Sequence, residues 1–216
     1  MLTVIFTFTP SFLIFLYVVL SDKFKEPAGI LFSTFFLGFL LCLPAGLLNY
    51  ILIFSKENAH DLSFLAGFSE ESLKFLAFVF FIMNRIEFNE RMDAIVYGTL
   101  ISLGFATFEN YEYVFIYNEP FSSFEVAQLR SVTAIPLHSF CGIMMGYFLG
   151  LYKYKKNKAF LVPSLCLPIF FHAVYNYLEN LFYIFLLIGA LFLFCLYLHN
   201  ELRVLQRSKR KENEFN

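Results

Sequence analysis

Glu70 and Glu71 stand side by side inside an apolar stretch, Leu62 to Met83, with Lys74 one helical turn further on. A carboxylate at bilayer depth costs roughly 2.5–3.5 kcal/mol on insertion scales, so a chain that keeps two of them has a use for them. On a helix Glu70 and Lys74 are four apart, share a face and are expected to pair, while Glu71 points about 100° away. Later apolar stretches carry Glu109 and Asn110 with Glu112 beyond them, then His138, then His172 and Asn176 on one helical face. Amide hydrolysis inside a membrane needs water, a group to activate it and donors for the oxyanion. A glutamate in such surroundings is a competent general base or acid, and His172 and Asn176 are candidate oxyanion donors. Alternatively, glutamate and histidine side chains hold a zinc ion that acidifies its bound water. The sequence has no HExxH, so such a site has to be assembled from separate helices, with Glu71, Glu109, His138 and His172 as candidate ligands. Both routes stay open on the residues alone.

The elements that must position these groups follow from composition. The 216 residues are 59% hydrophobic and only 15% charged, with a mean hydropathy of +0.66. Globular domains carry about 25% charged residues, so the chain reads as an all-α, polytopic membrane bundle. Spans need about 20 mostly apolar residues, and seven stretches qualify: 2–20, 29–54, 62–84, 93–117, 132–152, 159–178 and 181–199. The first lacks a basic leader and a small-x-small cleavage site and reads as a retained helix. Residues 1–200 form one transmembrane helical domain with its catalytic core at about 60–180, and 201–216 form a basic cytoplasmic tail, disordered at its end.

Cationic residues set the orientation. Of the 16 Lys and Arg, thirteen fall on the side of the first, third and fifth linkers and the tail, and only Lys56 and Arg130 fall on the other. Positive loops stay inside, which predicts the N-terminus outside and the C-terminus in the cytoplasm. At 1.5 Å per residue, Glu70 and Glu109 then lie ~12 Å from the outer face and His138 and His172 ~9 Å. Four helices thus place ionisable groups in one layer, and a shared water-filled cavity accounts for all of them.

Other polar positions have plainer readings. Asn49 is packing glue, Arg130 sits among headgroup phosphates, and His199 is interfacial. His60 and Asp61 are loop residues, and the linker 118–130 is an amphipathic segment in the outer interface. Cys42, Cys141, Cys166 and Cys195 show no paired spacing and read as buried small hydrophobes.

The combination Glu70-Glu71-Ser72-Leu73-Lys74, then Phe105 to Asn110, then His138, then His172 to Asn176, resembles the PrsW family of intramembrane proteases over about residues 60–180. That family is related to the type II CAAX prenyl proteases. Lys74 follows the glutamate pair where the prenyl-protease branch has an arginine one place later, and Glu109 stands where that branch has histidine; both departures favour PrsW. The resemblance implies cleavage of a membrane-tethered, anti-sigma-factor-like regulatory protein on its extracytoplasmic side, in a bacterial cytoplasmic membrane. It implies Glu70, Glu71, Glu109, His138 and His172 as the catalytic set, supported by Lys74, Asn110 and Asn176, and leaves the Zn2+ cofactor open. The implied partners are a single-span substrate and the lipid bilayer, with no nucleic acid. Two rival readings are a non-catalytic membrane scaffold that keeps the polar core and an ion- or proton-coupled transporter. The absence of an internal repeat counts against the transporter.

Overall fold

The computed structural model describes the backbone of residues 1–215 and the side chains of residues 1–206. It is all helical: α1 (Leu2–Ser21), α2 (Ala28–Asn49), α3 (Leu65–Ala77), α4 (Arg91–Phe115), α5 (Ser123–Val132), α6 (Ala134–Lys155), α7 (Leu161–Tyr177) and α8 (Leu181–Phe215). π-helical turns extend α2 through Tyr50–Phe54 and α3 through Phe78–Ile82. A backbone with no water to bond must satisfy itself, which is why helices suit a bilayer.

Among the described residues, five helical stretches are long and apolar enough to cross a membrane: Leu2–Ser21, Ala28–Phe54, Ser123–Lys155, Lys158–Tyr177 and Leu181–Gln206. The seven expected spans all coincide with helices, but α3 and α4 fall outside this set. Their own chemistry explains it, since α3 carries Glu70, Glu71 and Lys74 and α4 carries Asp93, Glu109 and Glu112. Both are sheltered by the apolar helices around them. At the far end, α8 continues as helix to Phe215, past the apolar stretch Leu181–Gln206. The side chains of Arg207, Lys209, Arg210 and Lys211, and Asn216 as a whole, lie outside the described residues.

The centre of the bundle is the α4–α6 pair. Every residue of α4 from Met92 to Ala106 is buried. Lipid is as apolar as leucine, so membrane helices associate by close packing, which small residues permit. On α6, Gly142, Gly146 and Gly150 recur every four residues and face α4. A Cβ on Gly98 would stand 2.5 Å from the Gly142 carbonyl oxygen, and one on Gly146 would overlap the Ala94 carbonyl. The same device seats α2 on α4, where a Cβ on Gly38 or Gly104 would strike the opposing backbone. Outward faces of α1, α2 and α8 expose large apolar side chains such as Phe12, Phe32, Phe36, Leu43 and Leu193. Apolar groups outside and charges inside make this an integral membrane protein. Cys42, Cys141 and Cys195 are buried, Cys166 is exposed on α7, and all four are free thiols.

The end of the bundle where α1 closes and α4 begins is acidic. Glu90 and Asp93 form a reciprocal capping box at the α4 start, Tyr97 donates its hydroxyl to Glu26, and Gln206 donates to Asp22 and Glu90. Burial pushes the Glu26 carboxyl above its ordinary range, with the Tyr97 hydrogen bond pulling the other way.

Candidate active site

At the other end, α3, α4, α6 and α7 each send ionisable side chains into one layer. Glu70 is 2% exposed, Glu71 and Lys74 0%, His138 1% and His172 2%. The helix turn that puts Glu71 and Lys74 three apart makes them neighbours, and Lys74 Nζ lies 2.7 Å from Glu71 Oε1 but 4.0 Å from Glu70 Oε2. Lys74 therefore pairs with Glu71, where sequence spacing had favoured Glu70. The reason is that the Asn49 amide donates to Glu70 Oε1 at 3.0 Å and turns Glu70 toward α2. Ser69 in turn donates to the Asn49 side-chain oxygen.

Hydrogen-bonding capacity fixes the histidine tautomers. An ammonium only donates, so His138 Nδ1, 3.0 Å from Lys74 Nζ, accepts and the ring proton sits on Nε2. That proton is donated to Glu109 Oε2 at 2.9 Å. His172 Nδ1 lies 2.9 Å from Glu71 Oε1 and donates to it, and Nε2 faces Glu70 Oε2 at 3.8 Å. The two imidazoles meet edge to face with centroids 4.8 Å apart. Lys74 also stands 4.0 Å above the Phe105 ring.

Arg130, expected among headgroup phosphates, is instead part of this network. It sits near the end of α5, so the expected interfacial linker is a short helix carrying a buried guanidinium. Arg130 donates to Glu109 Oε2 at 2.6 Å and to Asn110 Oδ1 at 2.8 Å, and its guanidinium lies 4.1 Å over Tyr113. Asn110 does not reach the cavity; its amide donates to the Thr7 carbonyl at 2.8 Å and ties α4 to α1. Arg130 and Asn49 were missed because each looks ordinary alone. The available signal was the one used for the glutamates, a polar side chain inside or beside an apolar run.

A cavity of about 270 Å³ runs along this layer, lined by Glu70, Glu109, His138 and His172 with Asn49, Tyr113, Arg130, Tyr175 and Asn176. Its wall continues to His60 on the α2–α3 connection, whose side chain is 74% exposed and pairs with Glu179 at 3.1 Å. Glu71 is not on the wall. It lies behind it, orienting Lys74 and His172. Asn176 is on the wall near Ser63, whose hydroxyl donates to the Asn176 carbonyl at 3.0 Å.

The donor set fits a metal. Glu70, His138 and His172 each offer one atom within 4.8 Å of the others, and two histidines with a carboxylate is a zinc set. Glu70 Oε2 is buried without a hydrogen-bond partner, and His172 presents Nε2 toward it while Glu71 fixes the ring from behind, as carboxylates do for zinc-bound histidines. His138 completes the trio by giving up one of its two hydrogen bonds. Of the other sequence candidates, Glu71 is engaged by Lys74 and Glu109 by Arg130.

Paired carboxylates and imidazoles around a cavity within a membrane bundle are the groups an intramembrane peptidase needs. Comparison with known proteins agrees: a family model described as "PrsW family intramembrane metalloprotease" matches residues 26–199. The chain belongs to the PrsW family. It is 35% identical over 198 residues to Protease PrsW of Oceanobacillus iheyensis, covering 88% of each chain. It is 33% identical to Protease PrsW of Bacillus subtilis, over 78% of each. With the Clostridioides difficile protein of the same name it shares 31% identity, over 73% of this chain and 71% of that one. No solved structure matches the chain.

Proposed function

We propose that this protein hydrolyses a peptide bond of a single-span, membrane-tethered regulatory protein of the anti-sigma-factor kind, near the extracytoplasmic face of a bacterial cytoplasmic membrane. The observation that carries the reading is the cavity that joins buried Glu70 and His172 to exposed His60. It offers water a route to a carboxylate inside an apolar bundle. Seven spans with the N-terminus outside follow from the cation bias and put the cavity mouth on the outer side.

Glu70 takes a proton from water as its oxygen attacks the scissile carbonyl carbon, and the proton then passes to the departing amine nitrogen. Asn176 and Arg130, on the same wall, carry N–H groups for the oxyanion. Glu71 and Lys74 hold His172 and His138 in place, so their role is positional. A zinc ion held by Glu70, His138 and His172 would supply Lewis acidity at the carbonyl and a more acidic water.

The test is co-expression with a single-span reporter and mapping of the cut by mass spectrometry. Cleavage in the outer half of the span, lost in Glu70→Gln and His172→Ala, is expected. Undiminished cutting in both variants, or a cut at the cytoplasmic end, overturns the reading. A chelator titration of the purified protein separates the zinc-dependent route from the metal-free one.

A further inference from the structure

The acidic end of the bundle lies 16 residues along α4 from Glu109, about 24 Å away at helical rise, and the peptidase chemistry makes no use of it. Asp22 closes α1, Glu26 sits on the α1–α2 connection, and Asp93 is in the first turn of α4. Each offers a carboxylate oxygen, and the three oxygens lie within 4.8 Å of one another. Asp22 is 2% exposed and Asp93 0%.

Three carboxylates this close repel one another unless something positive sits between them. Two neighbouring ammonium groups make their hydrogen bonds elsewhere. Lys25 donates to the carbonyls of Val19, Leu20 and Asp22, and Lys153 to those of Met83 and Phe88. Neutral donors satisfy only part of the cluster. Gln206 and the Phe24 amide serve Asp22 Oδ1, Tyr97 serves Glu26 Oε2, and the amides of Asn89 and Glu90 serve Asp93 Oδ2. Asp22 Oδ2 and Asp93 Oδ1 are buried and accept nothing. A buried carboxylate oxygen left without a partner is expensive.

We propose that Asp22, Glu26 and Asp93 bind one hard divalent cation, which ties the α1–α2 connection to the start of α4. Oxygens around Ca2+ stand at about 2.3–2.6 Å, so opposite ligands are about 4.8 Å apart, whereas Mg2+ at about 2.0–2.1 Å demands a tighter cage. Three side chains from separate elements suit the larger and more adaptable Ca2+ shell better than the strict octahedron of Mg2+. Gln206 on α8 reaches the same site through Asp22, so the ion also steadies the last helix.

The experiment is a Tb3+ titration of the full chain in detergent, with Tb3+ standing in for Ca2+. The protein has 13 Tyr and no Trp, so terbium emission is excited through tyrosine, and Tyr97 is hydrogen-bonded to a proposed ligand. Emission should saturate, and Ca2+ should displace it at lower concentration than Mg2+. Asp22→Asn and Asp93→Asn should each weaken Tb3+ binding at least about tenfold, and Tyr97→Phe should cut emission severalfold at unchanged terbium content per chain. His172→Ala should leave the curve in place. An unchanged curve in a folded Asp22→Asn protein, or emission lost in His172→Ala and kept in Asp22→Asn, overturns the proposal. If Asp93→Asn fails to fold, Glu26→Gln, on a connection outside the helices, reads the same loss.

Discussion

The molecule buries two carboxylate clusters at opposite ends of α4, and they are built differently. The Glu70, Glu71 and Glu109 cluster is interleaved with Lys74, Arg130 and two imidazoles, and it lines a cavity. The Asp22, Glu26 and Asp93 cluster is held by amides and a hydroxyl; two carboxylate oxygens are left over in each cluster, Glu70 Oε2 and Glu71 Oε2 in the first and Asp22 Oδ2 and Asp93 Oδ1 in the second. Opposite charges at contact distance offset much of the cost of holding carboxylates in a low-dielectric bundle. Where only neutral donors surround them, an ion from outside is the natural complement. Access differs as well: the first cluster opens onto water beside His60, and the second closes the joint between three helices.

The sharpest way to break the contrast is at Glu70. Glu70→Gln keeps the Asn49 hydrogen bond but removes the base, and peptidase turnover should fall about 10²–10⁴-fold with an unchanged thermal midpoint. Asp22→Asn should do the opposite, leaving turnover within about twofold while abolishing the Ca2+-dependent rise in midpoint. Equal losses of turnover in both variants would erase the distinction between the clusters.

Lys74→Met tests the claim of internal charge balance. It strands Glu71 beside two imidazoles, and breaking a buried pair from one side costs about 3–5 kcal/mol, readable in denaturant unfolding of the detergent-solubilised protein. Arg130→Gln should be milder, because Arg130 is 13% exposed at its side chain and Glu109 keeps His138. A loss of at least about tenfold in kcat/KM is expected, with Arg130→Lys recovering only part of it because lysine cannot reach Glu109 and Asn110 as one planar fork. The smallest effect is at Glu26. Its folded pKa lies above the ordinary 4.5, so the folded protein holds more proton and stability falls as pH rises from 4.5 through the raised value. Glu26→Gln should flatten that slope in cation-free buffer.

Much of this was legible in the sequence, and the boundary is instructive. Apolar length announces helices, and charges inside them announce a site, so Glu70, Glu71, Glu109, His138 and His172 stood out before any fold was known. The structure brings them into one layer. Partner choice was less legible. Helical spacing allows Lys74 to reach either glutamate, and only Asn49, on a different helix, decides between them. Arg130 was hidden because it lies in a linker, where a cation is unremarkable until α5 folds back on α4. The Asp22, Glu26 and Asp93 cluster was hidden for the same reason. The glycines of α6 at positions 142, 146 and 150 went unread because their meaning depends on what faces them.

The most direct test is cleavage of a single-span peptide by purified protein in lipid vesicles, comparing wild type with Glu70→Gln at matched folding. The account predicts steady product from the wild type, cut in the outer half of the span, and at least a hundredfold less from the variant. Product from Glu70→Gln at the wild-type rate would show that the Glu70–His172 cavity is not where hydrolysis occurs.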